Sequence, residues 1–245
     1  YAGKRRQLPW FLLSALVLAQ NGVKILMHGT EGHTAGRGYL RDTMEALSLP
    51  VSTSFADGET AIGQSGFAYL PLEVLSQPLR DIINLRPILG LRSPVHTIAR
   101  LLNPLNARCL MQGIFHTGYM EIHQGAARLL GQPHMAVLRG EGGEIERRPN
   151  KPCQVFTVHD GVMATEDWPK LLPDPRQQSD EIMDVMRLTA VWRGDTGDDY
   201  ATAAITGTLA IALKLLGRAP TQETAQAAAQ DLWQARDRKR LPAGC

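Results

Sequence analysis

Apolar positions along the chain cluster in short runs separated by helical stretches. Leu8 to Asn21 reads as a helix stopped by Gly22. Val23 to Met27 (VKILM) follows as a continuous apolar run, the pattern of a buried parallel strand. Tyr39 to Leu47 reads as a helix and Phe67 to Leu70 as a short strand. Pro71 to Leu89 is helical in composition, but Pro78 and Pro87 cut it into two pieces. Pro94 to Leu102 is a further helix. Cys109 to Phe115 is strand-like, Thr117 to Leu130 an amphipathic helix ended by Gly131, and His134 to Leu138 another strand. Gln154 to Val158 is the last strand expected. From Asp180 the chain turns helical, with Ala201 to Leu216 and Thr221 to Arg240 as the strongest helices and Thr221 as an N-cap.

Alternating strands and helices predict an α/β fold with a mostly parallel sheet flanked by helices. In such sheets ligands sit beyond the carboxyl ends of the strands. That directs attention to two strand-end loops, His28 to Gly38 and Arg139 to Glu146.

Composition changes this picture little. Of 245 residues, 44% are apolar and 20% charged, which excludes a disordered or fibrous chain. The net charge of +2 does not by itself select a partner. The longest apolar run, Trp10 to Ala19, is shorter than the roughly 20 residues a bilayer requires, so no membrane association is expected. Cys109, Cys153 and Cys245 are widely spaced and lack metal-ligand spacing, as expected for reduced thiols in the cytoplasm.

Candidate chemistry lies in four places. Lys4, Arg5 and Arg6 follow Gly3 at the start of the first helix and read either as a phosphate site or as a solvated basic terminus. The loop HGTEGHTAGRG offers glycines for close approach and hydroxyls for phosphate, but it is not a P-loop. Between residues 80 and 108 stand Arg80, Arg86, Arg92, Arg100 and Arg108, with Asp81 as the one acid; such a stretch lines an anionic site or is a set of separate surface arginines. Glu141, Glu144 and Glu146 form either a Mg²⁺ site or a polar turn. His116, His123, His134 and His159 are read as structural.

Taken in order, VKILMHGTEGHTAG, LGLRSPVHTIARLLNPLNA, GIFHTGYMEI and AVLRGEGGEIE resemble the anthranilate phosphoribosyltransferase family, whose fold is shared with pyrimidine nucleoside phosphorylases. The resemblance implies a small helical subdomain attached to a larger α/β domain, and a homodimer built through the helical part. On that basis residues 1–70 begin the α/β domain, 71–105 belong to the helical subdomain, and 106–245 complete the α/β domain. The same resemblance implies an N-terminal part of the helical subdomain ahead of Gly3, which is expected to be missing from this sequence.

The resemblance also assigns residues. Gly3 and Lys4 match a glycine-rich loop in which the family carries an aspartate where Lys4 stands. His28, Gly29 and Thr30 match the family's KHGN, without its lysine and asparagine. Thr34-Ala35 replaces a serine pair. These residues would line a pocket for phosphoribosyl pyrophosphate. Arg86 matches an arginine that contacts anthranilate, and Arg92 one from an LGxRT segment. The acidic pair that holds Mg²⁺ falls on Ile145-Glu146, leaving Glu146, with Glu141, as the expected metal ligands.

Within the family, the segment Tyr1-x-Gly3-x-Arg5-Arg6-Gln7, LRPILGLRSPVHTIARL and the HGTEG loop look most like a non-canonical bacterial branch that binds nucleic acid. That implies sequence-independent binding of DNA or RNA, with Lys4, Arg5, Arg6, Arg86, Arg92 and Arg100 on phosphates and no cofactor. The other reading is an active, Mg²⁺-dependent phosphoribosyltransferase for anthranilate or a related aromatic amine. A nucleoside phosphorylase is disfavoured because its lysine and serine pattern is missing.

Overall fold

The computed structural model describes residues 3–4, 6–30, 36–91, 93–174 and 183–239. Helix α1 (Phe11–Gln20) begins after Pro9 and ends at Gly22, whose φ of 76° closes the turn into strand β1 (Ile25–Gly29). Helices α2 (Leu40–Ala46) and α3 (Phe55–Ser65) lead into strand β2 (Phe67–Pro71). β2 lies parallel to β1, with Ile25 opposite Phe67. The proline-cut stretch is three pieces rather than two: α4 (Leu72–Leu75), α5 (Gln77–Asn84) and α6 (Arg86–Leu89). Pro78 and Pro87 sit in the first turns of α5 and α6, where a missing N–H costs nothing. Helix α7 (Val95–Ile98) and a 3₁₀ turn complete this segment. Leu72, Ile83, Val95 and Ala99 give it a small apolar cluster of its own.

Strand β3 (Cys109–Ile114), helix α8 (Met120–Leu129) and strand β4 (His134–Arg139) form a parallel crossover unit. β4 alternates cleanly. Met135 and Val137 pack towards α8, while Ala136 and Leu138 join the main core. Strand β5 (Cys153–His159) then pairs antiparallel with β4, and strand β6 (Val162–Trp168) antiparallel with β5. The α/β class holds, and the expected parallel pairing holds for β1–β2 and β3–β4. The sheet that contains β4 is mixed, because neither connection after β4 carries a crossover helix.

The chain closes with α9 (Met186–Arg193), α10 (Asp199–Leu215) and α11 (Gln222–Ala235). Thr221 caps α11 with the reciprocal bonds of a capping box. α1 and α10 are apolar almost all round and pack on each other in the main core; the Ser14 hydroxyl is satisfied by the Ile205 carbonyl at 3.0 Å. No helix among the described residues is long and apolar enough to cross a membrane.

Strand β6 was not expected from the sequence. Its turn is Asp160-Gly161, both left-handed at φ 46° and 84°, joining His159 directly to Val162 across the ladder. This is the two-residue hairpin geometry that suits Asp-Gly. Gly161→Ala is expected to lower unfolding free energy by about 1–2 kcal/mol, read by urea titration.

Candidate functional site

A cavity of about 690 Å³ runs between β1 and β3, along the edges of those strands that no other described strand pairs with. Ile25, Met27, Leu110 and Met111 give it apolar walls. Polar groups enter from Gly3, Lys4, His28, Gly29, Thr30 and Arg100, all of them residues the sequence singled out.

The loop after β4 is laid flat against its surroundings. Gly140 N donates to Ile114 O at 3.0 Å. A Cβ on Gly113 would meet Glu144 O at 2.2 Å, and one on Gly142 would meet Gly3 O at 2.4 Å. Backbone thus touches backbone on both faces of residues 140–146, which only glycine permits.

The Gly3-Lys4 segment is pinned to this loop. Gly3 N donates to Glu144 Oε1 at 2.9 Å, and Arg6 N to Glu141 Oε1 at 2.8 Å. Lys4 exchanges both backbone bonds with Gly38, at 2.9 Å each. Its side chain is buried, and its ammonium donates to Glu146 Oε1 and lies 4.0 Å from Glu141 Oε2. The other oxygen of Glu146 accepts Phe11 N–H at 3.0 Å. Burial pushes the Glu146 carboxyl up, and the Lys4 ammonium and the Phe11 N–H pull it back. Lys4, read from sequence as a phosphate contact, and Glu141 and Glu146, read as metal ligands, therefore meet one another.

Cations ring the same loops. Arg100 Nη1 donates to Gly113 O at 2.8 Å and also to Gly143 O, tying β3 to the 140–146 loop. Arg37 Nη1 donates to Gly3 O at 3.1 Å. Arg80 donates to the buried Thr30 hydroxyl at the end of β1. Arg80 and Arg37 were visible in the sequence only as members of a charged stretch or loop, and Glu144, read as a metal ligand or a turn residue, instead accepts Gly3 N–H. His28 Nε2 hydrogen-bonds Leu102 O at 3.0 Å, and burial, with nearby Arg100 adding, lowers its pKa to about 4, so the ring is a neutral donor at neutral pH. Arg86 opens α6, half-buried, and Arg6 is exposed. Arg5, Thr34 and Arg92 lie outside the described residues. Of the histidines read as structural, His123 is buried against Gln112 Oε1 at 2.6 Å, and His159 pairs with His134 at 3.2 Å.

Residues 11–234 match the sequence profile described as "Glycosyl transferase family, a/b domain". The chain belongs to that glycosyl transferase family. Among its relatives, the anthranilate phosphoribosyltransferase of Oleidesulfovibrio alaskensis is 29% identical over 154 residues, 63% of this chain and 46% of that enzyme. The enzyme of the same name from Desulfatibacillum aliphaticivorans is 28% identical over 193 residues, 79% of this chain and 54% of that enzyme. The chain spans about half the length of these enzymes. The crystal structure of anthranilate phosphoribosyltransferase from Thermus thermophilus superposes with a TM-score of 0.78 at 20% identity, covering 98% of this chain and 72% of that one. The Saccharomyces cerevisiae enzyme in complex with PRPP and Mg gives 0.78 at 14% identity, covering 98% and 69%. These superpositions place the glycosyl transferase fold over nearly the whole chain.

Proposed function

We propose that this member of the glycosyl transferase family binds a phosphoribosyl diphosphate at its strand-end loops and transfers the phosphoribosyl group to an aromatic amine such as anthranilate. The observation that carries the reading is the convergence of Gly3-Lys4, His28-Gly29-Thr30 and the 140–146 loop on one cavity, with Arg80 and Arg100 beside them. It is supported by relatives that carry the phosphoribosyltransferase name and by a neighbour whose structure holds PRPP. In such a transfer the amine lone pair forms a bond to the ribose C1 while the C1–O pair departs with diphosphate; the amine proton passes to solvent. The chain's part is to hold the phosphates and meet the leaving charge with fixed cations and backbone N–H groups. Arg86 would orient the acceptor carboxylate. The cytoplasm, where free Cys109 and Cys153 stay reduced, is the compartment this reading fits.

Calorimetric titration of phosphoribosyl diphosphate tests the reading; no binding under any condition defeats it. Arg80→Met is expected to weaken binding about tenfold or more, the value of one charge-assisted hydrogen bond, and to lower stability only by the loss of its bond to Thr30.

We also place residues 71–105 in a helical subdomain that mediates a homodimer. Ile88, Leu89 and Leu91 are 80%, 53% and 64% exposed there, next to one another in sequence. Light scattering should give twice the chain mass, and Ile88→Asp with Leu91→Asp should return the monomer.

A second reading, sequence-independent binding of DNA or RNA, draws on exposed Arg6 and Arg108 and on the acid-poor stretch 80–108. Lys4 and Arg100 contribute less to it than the sequence implied, since one is buried in an ion pair and the other is spent on two carbonyls. Anisotropy of labelled single-stranded DNA at two salt concentrations tests it, a steep loss of affinity being required.

A further inference from the structure

The fold's relatives bring a divalent cation to mind, because one solved neighbour holds Mg together with PRPP. The acids of the 140–146 loop are arranged differently from a cation site. Both oxygens of Glu146 are engaged, one by the Lys4 ammonium and one by Phe11 N–H. Glu141 accepts Arg6 N–H on one oxygen and faces Lys4 with the other. Glu144 accepts Gly3 N–H. Mg²⁺ demands nearly octahedral oxygen ligands at about 2.0–2.1 Å, usually from one or two carboxylates plus waters and phosphate. To enter here it would have to displace an ammonium that is buried and ion-paired. Lys4 cannot swing aside at little cost, because its side chain is buried and ion-paired where it stands. An ammonium left in place repels the incoming dication, and one displaced is left buried without its partner.

We infer that phosphate binding at this site is independent of divalent metal, the Lys4 ammonium serving as the built-in cation between Glu146 and Glu141. The inference rests on the phosphoribosyl-diphosphate reading for its ligand, but its cation part stands by itself. Charge on the ligand is met by the chain's own groups. Arg80 stands at the end of β1 on Thr30, while Arg37 and Arg100 hold the loop in place through Gly3 O, Gly113 O and Gly143 O.

Two measurements on the full chain separate the outcomes. The first is titration of Mn²⁺ followed by the electron paramagnetic resonance signal of the free ion. No stoichiometric loss of that signal is expected; tight uptake of Mn²⁺ would overturn the inference. The second is calorimetry with phosphoribosyl diphosphate in EDTA and in excess Mg²⁺. Affinities within about twofold of each other are expected, where a metal-clamped site would lose binding outright in EDTA. Binding in Mg²⁺ alone would sink the inference while upholding the phosphoribosyl reading. No binding in either buffer would sink that reading, and the Mn²⁺ titration would still decide the cation question. Lys4→Asp removes the ammonium and adds an acid, and it is expected to gain Mn²⁺ binding. A folded Lys4→Asp protein with the Mn²⁺ affinity of the parent would overturn the role given to Lys4. Should the variant not fold, the two titrations of the parent remain decisive.

Discussion

Alanine at Gly113 is expected to unseat the loop that carries the site. Gly113 lies in β3, and a Cβ there would stand 2.2 Å from Glu144 O, 2.3 Å from Glu144 C and 2.6 Å from Ile145 N. All three are backbone atoms, so no rotamer change relieves the contact. Either β3 or the loop must move by more than half an ångström. The loop is the freer of the two, but its displacement disturbs the Arg100 clasp on Gly113 O and Gly143 O and the Gly3–Glu144 bond. Overpacking of this kind costs about 1–3 kcal/mol. Ligand binding suffers as well, because every proposed phosphate contact near residues 140–146 shifts with the loop; loss of one charge-assisted contact is worth about tenfold or more. Urea titration and calorimetry with phosphoribosyl diphosphate measure the two parts. Gly125 is the control. It lies in α8 with nothing within 4 Å of its would-be Cβ. Gly125→Ala should stabilise the protein by up to about 1 kcal/mol and leave binding alone. Equal behaviour of the two alanines would mean that the loop does not rest on β3 as described.

The parts of this architecture that were legible in the sequence are those whose signal is local. The apolar runs at 23–27 and 134–138 each announce a buried strand; the second is one, whereas the first yields Ile25–Gly29, which is half-buried because it lines the cavity. Thr221 announces the start of α11 because a cap is a property of four consecutive residues. What escaped did so for different reasons. β6 is exposed along most of its length, so it lacks the apolar pattern that marks a strand, and Asp160-Gly161 was its one sharp sign. α3 buries only Gly58 and was marked chiefly by its Ser54 cap on Asp57 N–H. The site escaped in part because its decisive contact is not local. Lys4 and Glu146 are 142 residues apart, and each taken alone suggests a different partner: a phosphate for the lysine, a metal for the glutamate. Both residues converge on one loop. Only the fold shows that they satisfy each other. Arg100 illustrates the same limit, because an arginine in a basic stretch looks available until its carbonyl partners are known.

The pairing of Lys4 with Glu146 carries the second large expectation. Lys4→Met keeps most of the apolar stem of the side chain and removes the charge together with its hydrogen-bond donors. It leaves Glu146 buried with Phe11 N–H donating to it but no cation beside it, and loss of one member of a buried ion pair costs about 3–5 kcal/mol. The cost should depend on pH in a definite direction. Burial already raises the Glu146 carboxyl above its ordinary value of 4.5, and the ammonium holds that rise in check. With methionine at position 4 the check is gone and the folded-state pKa climbs further. A carboxyl whose pKa is higher in the folded than in the unfolded chain takes up a proton on folding. Its contribution is fully present below the unfolded value and is lost as pH rises through the folded one. Lys4→Met should therefore lie close to the parent near about pH 5 and fall furthest behind it near about pH 8, compared by urea titration across that range. Adding Glu146→Gln should remove the pH dependence and recover most of the stability, because a neutral amide keeps an acceptor for Phe11 N–H and leaves no charge buried. A penalty that is flat with pH, or a double variant no better than the single one, would show that water reaches this pair and that the ammonium is not what makes the buried carboxylate tolerable.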